Sequence, residues 1–160
     1  MMHGWLKWIK AAELAAWAIW LGALWCMAIL VVPGLFKWLP RPEAGLVAGR
    51  FFYMLSWYSL GSGALLLVLS SCTGVAKSAL KLHSIVLIVL LVSLIELLWL
   101  HPHMRELRQA MQALQGEQLG AAKAKFGTMH AVSSVLYSIK MIAGLLWGLS
   151  RYTTKQTPHG

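Results

Sequence analysis

The chain has 160 residues, of which 59% are hydrophobic and 12% are charged, with a formal net charge of +9. An average soluble domain has about 25% charged residues, so this composition excludes an ordinary soluble fold. Lys and Arg fall mainly at the ends of apolar segments, which argues against nucleic acid as the partner of the positive charge. The expected partner is a lipid bilayer with anionic headgroups.

Four apolar segments have about the length, roughly 20 residues, that a helix needs to cross a bilayer. They cover residues 14–32, 52–71, 82–100 and 131–149. These segments lack the polar and apolar alternation of a membrane β-barrel, so helices are expected. We predict an all-α protein, with residues 1–160 forming one integral membrane domain. Its architecture is an antiparallel four-transmembrane-helix bundle.

The first segment is preceded by Lys7 and Lys10, but it is too long for a signal peptide and is interpreted as a retained helix. Glu13, Trp17 and Trp20 lie on one helical stripe, which we expect to face other helices. Prolines disfavour helix at the preceding residue, so three of them are predicted to end this first helix. They are Pro33, Pro40 and Pro42. Residues 33–49 would then form a re-entrant or surface connection.

Small residues at helical spacing predict close packing in the second and fourth helices. The second helix contains such a stripe, made of Ser56, Ser59, Gly63 and Ser70. The fourth contains Gly144 and Gly148, which favour close packing either within the bundle or between protomers. A homo-oligomer formed through these two glycines is therefore an open alternative.

Between the third and fourth segments, apolar residues recur at spacings of three and four on an otherwise polar stretch. With Pro102 suited to a first helical turn, they predict an amphipathic helix over residues 103–114. It would lie on the membrane or extend the third helix. Gly116 and Gly120 are expected to loosen the chain after it.

Four crossings place both termini on one side of the membrane. Lys and Arg are almost evenly divided between the two sides, so the positive-inside rule does not decide the orientation. We expect cytoplasmic termini, because a short basic N-terminal tail is hard to translocate. The expected location is the bacterial inner (plasma) membrane.

Lys140 lies near the middle of the fourth apolar segment. A charge at that depth costs at least about 2.5 kcal/mol on insertion scales, so a partner is expected. Glu96 in the third helix is the predicted partner, and Glu13 is the alternative, although Glu13 could pair more simply with Lys10. The pair would form part of a proton or ion path or a ligand pocket, or would only fix the register of the helices. Further candidates for this polar pocket are His130, Ser133, Ser134, Tyr137 and Glu13.

Three histidines are expected on the side opposite the termini: His101, His103 and His130. Met104 and Met129 stand beside them in the sequence. Imidazole with thioether suits copper, particularly the reduced ion, and imidazoles alone suit zinc or haem iron. A copper or haem site at these histidines is thus an alternative to a site without metal. No catalytic constellation is recognisable, which favours a non-enzymatic protein.

Several short runs resemble the bacterial branch of the transmembrane protein 205-like family of unknown function. These are W-x-G at residues 20–22, VVPGLF at 31–36, AGLVAGRFF at 44–52 and HAVSSVLY at 130–137. The resemblance implies a four-helix membrane protein without an established reaction. That family is distantly similar to the copper-resistance D membrane domain and to the bacterial four-helix protoporphyrinogen oxidase, which implies a metal or haem role. The functional hypothesis is an uncharacterised multi-pass protein with a transport, tolerance or assembly role; the alternative is copper or haem binding.

Overall fold

The computed structural model describes residues 2–72 and 79–153, and within these ranges the chain is helical throughout apart from two short connections. Four helices in this part are long and apolar enough to span a membrane. They cover Gly4–Trp38, Arg41–Cys72, His83–Ala113 and Gly116–Arg151. The predicted all-α class is confirmed, and each helix extends beyond the apolar segment from which it was predicted.

Two of these long helices contain a π-helical segment between two α-helical parts. In chain order the elements are α1 (Met2–Cys26), π1 (Met27–Val31), α2 (Val32–Trp38), α3 (Arg41–Cys72), α4 (Ala79–Ile95), π2 (Glu96–Leu100), α5 (His101–Ala113) and α6 (Gly116–Thr153). The described part of the chain therefore consists of four rods: α1–π1–α2, α3, α4–π2–α5 and α6.

Pro33 does not end the first rod, contrary to the prediction from sequence. It lies in the first turn of α2, directly after π1, where the N–H of Val32 bonds to the carbonyl of Met27. A proline inside a regular helix lacks one hydrogen-bond donor and collides with the carbonyl four residues earlier. The wider turn of a π segment offers a way to accommodate such a residue without breaking the rod.

The break instead comes at Leu39, whose backbone is extended, with φ −116° and ψ 149°. The helix α3 begins two residues later, and Pro42 lies in its first turn, where no backbone donor is needed. The predicted re-entrant or surface connection over residues 33–49 is therefore wrong: the break between the helices is confined to residues 39 and 40. A connection this short makes the two rods antiparallel neighbours.

The predicted amphipathic helix is present as α5 and continues the third rod. Pro102 is the second residue after π2, as Pro33 is after π1, and the N–H of His101 bonds to the carbonyl of Glu96. After α5 the backbone is extended at Leu114 and turns at Gly116, whose φ is +58°. The helix α6 then runs through Gly120, so the expected loosening at that residue is wrong.

The rods pack in a closed order, with α3 against α1 and α4, and α6 against α4 and α1. Their shared core is apolar and lies in the half of the molecule nearer the termini. It contains Trp20, Leu21, Leu24, Leu66, Val86, Val89, Tyr137, Ala143 and Trp147. Large apolar side chains such as Leu98, 75% exposed, cover the outside. Such a surface suits contact with lipid, where apolar groups need no burial within the protein.

Glycines allow α1 and α6 to approach closely. A Cβ at Gly144 would lie 2.8 Å from Leu21 Cδ1, and a Cβ at Gly148 would collide with the ring of Trp17. Trp17 also donates its indole N–H to the carbonyl oxygen of Gly144, at 2.9 Å. Helix α1 of the same chain therefore packs against Gly144 and Gly148. A homo-oligomer formed through these glycines stays a prediction.

Candidate functional site

The buried ion pair of Lys140 and Glu96 forms the centre of the candidate site. Lys140 Nζ lies 2.5 Å from Glu96 Oε2, and the two residues are only 1% and 3% exposed. Lys140 comes from the C-terminal half of α6, whereas Glu96 is the first residue of π2. A buried charge that loses its partner typically destabilises a protein by about 3–5 kcal/mol, so each residue depends on the other.

Ser56 of α3 connects to the same carboxylate. Its Oγ donates to Glu96 Oε2 at 2.7 Å and also lies 3.0 Å from the carbonyl oxygen of Phe52. A hydroxyl group has one hydrogen and two acceptor lone pairs, so Ser56 can donate to one oxygen while it accepts a hydrogen bond from another donor. Side chains from three rods therefore meet at Glu96.

His101 supplies a donor for Ser56. Its Nε2 lies 3.1 Å from Ser56 Oγ, and the residue is half-buried at the start of α5. With a hydrogen on Nε2, His101 donates to Ser56, and Ser56 donates to Glu96, which also accepts from Lys140. These four side chains, called the polar chain below, link the buried pair to the region where the apolar span of α4 gives way to the polar helix α5.

Aromatic rings enclose the pair on the side of α1. Lys140 Nζ lies 5.6 Å from the ring centroid of Tyr137, within the range of a cation–π interaction. The ring of Phe52 meets that of Tyr137 edge-on at 5.3 Å. The Tyr137 hydroxyl donates to the carbonyl oxygen of Leu24. Lys140 is thus surrounded by rings and backbone on this side, so its ammonium group has no direct route to water there.

A groove between α3 and α5 reaches His101 from outside. Its volume is about 680 Å³. Its lining residues are Leu46, Gly49, Arg50, Tyr53, Met54, His101, Met104, Arg105, Arg108, Gln109 and Gln112. The ring of Tyr53 meets that of His101 edge-on at 5.6 Å. His101 therefore has one ring nitrogen on the polar chain and also lines the groove.

Other predicted pocket residues lie elsewhere. His130 is exposed, and the Ser134 hydroxyl donates to the His130 carbonyl oxygen at 3.0 Å instead of facing Lys140. Ser133 is half-buried on the same helix and is not among the partners in the hydrogen bonds of the polar chain. Among these candidates, only Tyr137 contacts the buried pair.

The three histidines proposed as metal ligands are not brought together. His101 bonds to Ser56, whereas His103 is exposed, with Nδ1 2.7 Å from the carbonyl oxygen of Trp99. His130 is exposed on α6. Within residues 2–72 and 79–153, no three His, Cys, Asp or Glu side chains form a group that could hold a metal ion. The predicted three-histidine site is therefore wrong for the described structure.

Glu13 pairs with Arg151, near the termini, and not with Lys10 or Lys140. Arg151 Nη2 lies 2.7 Å from Glu13 Oε2, and Glu13 is 2% exposed. Its second oxygen, Oε1, is buried without a hydrogen-bond partner among the described residues. This pair joins the first and last rods and forms no part of the polar chain.

Sequence reasoning missed how Ser56 and His101 join the site. From the sequence, Ser56 belongs to a stripe of small packing residues, and His101 is a candidate metal ligand. His101 follows Glu96 by five positions, and in a regular α-helix this spacing would place them roughly 140° apart around the axis. The wider turn of π2 changes that angle. One feature of the sequence could have indicated that Glu96 and His101 meet at Ser56: an acidic residue, Glu96, lies in an apolar segment shortly before a proline, Pro102.

The four long apolar helices and their buried polar chain define a helical, multi-pass membrane protein. The chain belongs to the family that carries a domain of unknown function, DUF4149, whose model matches residues 15–113. This match gives no support to the narrower resemblances to the transmembrane protein 205-like family or the copper-resistance D domain. The matched region includes Ser56, Glu96 and His101, whereas Lys140 lies beyond it. No curated protein and no solved structure matches the chain.

Proposed function

We propose that this chain is a non-enzymatic transport protein of the bacterial inner membrane, in which a proton moves between the groove and the Glu96–Lys140 pair. The main support for this proposal is the series of hydrogen bonds that runs from His101 through Ser56 to Glu96. Charged residues inside membrane spans are functional candidates because insertion disfavours them. A buried ion pair is weak evidence for a role in stability, since apolar replacements of such pairs are often neutral or stabilising.

The proton step needs no group beyond the polar chain. A doubly protonated His101 gives its Nε2 hydrogen to Ser56 Oγ while Ser56 passes its own hydrogen to Glu96 Oε2. His101 is left neutral with its hydrogen on Nδ1, Ser56 is unchanged, and Glu96 becomes a neutral carboxylic acid. The other groups acting on His101 are the cations of Lys140 and Arg105 and the ring of Tyr53. Partial burial of the imidazole opposes a charge on His101 most strongly, the two cations oppose it as well, and Glu96 favours it.

Protonation of Glu96 changes the charge of the buried site. Lys140 then keeps its positive charge without a carboxylate partner, next to the ring of Tyr137. An unpaired buried charge is unfavourable by several kcal/mol on general estimates, so this state favours either proton return or entry of a small anion. Protonation of Glu96 would thereby favour binding of a small anion beside Lys140, and loss of that proton would favour its release.

The described conformation connects the pair to one side of the molecule. Between Lys140 and the terminal end lies the apolar core, with Leu66 and Trp147 only 2% and 1% exposed. Transport to the terminal side requires the rods to separate there. Such movements between two arrangements of packed helices are typical of membrane transporters.

The test uses the full chain reconstituted into liposomes that contain a pH-sensitive dye, with an imposed pH difference. We expect faster proton movement than in empty liposomes, and loss of that excess in Glu96→Gln and in the double variant Lys140→Met with Glu96→Leu. The matched control is Ser134→Ala, since Ser134 bonds to its own helix. Equal rates for the folded double variant and the native chain would reject the proposal. A tolerance or assembly role predicts no excess rate in any of these proteins.

A further inference from the structure

The groove between α3 and α5 contains three arginines and no carboxylate. Arg50 comes from α3, whereas Arg105 and Arg108 come from α5. Gln109 and Gln112 add amide groups to the same wall. Among the described residues, none of the three arginines forms an ion pair with an acid. The ion pairs in this part of the chain join Lys140 to Glu96 and Arg151 to Glu13. The groove therefore concentrates positive charge that the described part of the protein does not neutralise.

Ring and backbone contacts hold two of these arginines in place. Arg105 Cζ lies 5.5 Å from the centroid of Tyr53, and Arg108 Cζ lies 5.3 Å from that of Phe126. The guanidinium of Arg108 lies against Gly49, where a Cβ would be 3.4 Å from Nη1. A cation over a ring uses the face of the guanidinium, which leaves the N–H donors in its plane available to an anion.

We infer that this groove binds the phosphate group of an anionic phospholipid. Arginine presents planar pairs of donors that match phosphate oxygens, and charge-assisted bonds of this kind are about twice as strong as neutral ones. Leu46, Met54 and Met104 supply apolar wall beside the arginines. A site with charge on one side and apolar surface on the other fits an amphiphile better than a free inorganic anion. Basic pockets between membrane helices are known places for lipid headgroups.

The position of the groove supports a lipid as the source of the phosphate. The groove runs alongside α5. This helix begins where the apolar segment formed by α4 and π2 ends, so the groove lies at the expected level of the headgroups. Its walls belong to two antiparallel neighbours, α3 and the third rod. This inference needs neither Glu96 nor Lys140 and does not depend on the proposed proton movement, although the bound anion would lie in the groove that His101 also lines.

Native mass spectrometry of the full chain in neutral detergent can test this inference. Phosphatidylglycerol, phosphatidylcholine and inorganic phosphate are added separately at increasing concentrations. The test variant is Arg105→Gln with Arg108→Gln. The matched control is Lys123→Gln with Lys125→Gln, which removes the same charge from exposed positions outside the groove. Circular dichroism and size exclusion verify that each variant is folded.

We expect phosphatidylglycerol to bind the native chain roughly tenfold more tightly than phosphatidylcholine, and the arginine variant to lose most of that difference. The lysine variant should bind as the native chain does. Equal binding of both lipids to the native chain would overturn the inference, as would equal losses in the two variants. Inorganic phosphate that binds as tightly as phosphatidylglycerol would overturn the assignment to a lipid.

A charge-preserving variant covers the case in which the glutamine variant does not fold. Arg105→Lys with Arg108→Lys keeps both charges but removes the planar donor pairs. We expect this protein to bind phosphatidylglycerol several-fold more weakly than the native chain. Unchanged binding would show that net charge alone attracts the lipid and that the groove is not a built phosphate site.

Discussion

Glu96 and His101 are five residues apart on one rod, yet both lie within hydrogen-bond distance of the Ser56 hydroxyl, at 2.7 and 3.1 Å. The π segment between them makes this possible, because its turn is wider than that of an α-helix. π segments often occur at functional sites, where they aim side chains that a regular helix would separate. The π-helical backbone between Glu96 and His101 is therefore needed to bring these two side chains of the polar chain to Ser56.

Pro102→Ala tests the contribution of the backbone. An alanine restores a backbone donor and removes the collision with the carbonyl of Leu98, so a regular helix becomes more favourable through π2. We expect slower proton movement in liposomes, together with slower hydrogen exchange of amides in residues 96–102. Pro33→Ala is the matched control, because it relaxes π1 and leaves the polar chain in place. Equal effects of the two substitutions on proton movement would contradict this prediction.

Lys140→Met should destabilise the protein by about 3–5 kcal/mol, because Glu96 would remain buried without its cation. Adding Glu96→Leu should recover most of that loss. The free energy of unfolding is measured for the native chain, both single variants and the double variant in the same detergent. Additive effects would show that the two charges do not stabilise each other, although they lie 2.5 Å apart in the structure.

Ser56→Ala removes the connection between His101 and Glu96 without changing any charge. We expect the excess proton rate to fall to that of empty liposomes, with stability reduced by about 1–3 kcal/mol. Ser59→Ala is the matched control: Ser59 lies one turn further along α3 and accepts the indole N–H of Trp20 at 3.2 Å. It should lower stability while proton movement continues. A native rate in folded Ser56→Ala would remove Ser56 from the path.

Hydrophobic length predicted the number and order of the long helices, since each of the four apolar segments overlaps one of them. The predicted end of the first helix at Pro33 was wrong, because proline usually ends a helix. The sequence does not reveal that a π segment precedes Pro33 and Pro102. The position of the first connection was wrong for this reason.

Part of the site followed from charge alone. Lys140 and Glu96 occur within apolar segments, and the unfavourable burial of each predicts that the two will meet. The arginine groove did not follow, because its walls come from separate rods, and Arg108 reaches Gly49 only after α5 has continued the third rod alongside α3. Contacts of that kind depend on tertiary geometry that helical spacing does not contain.

Gly148→Ala tests the contact between the first and last rods. The added methyl group would collide with the ring of Trp17, so α1 and α6 must separate or the indole must turn. Overpacking of this kind usually destabilises by about 1–3 kcal/mol. Gly61→Ala is the matched control, since nothing lies within 4 Å of its Cβ position and alanine favours helix by up to about 1 kcal/mol. In detergent unfolding we expect Gly148→Ala to be less stable than the native chain and Gly61→Ala at least as stable. Trp17 is also the residue that donates to Gly144, so a stable Gly148→Ala protein would mean that this indole contact is not required to hold α1 against α6.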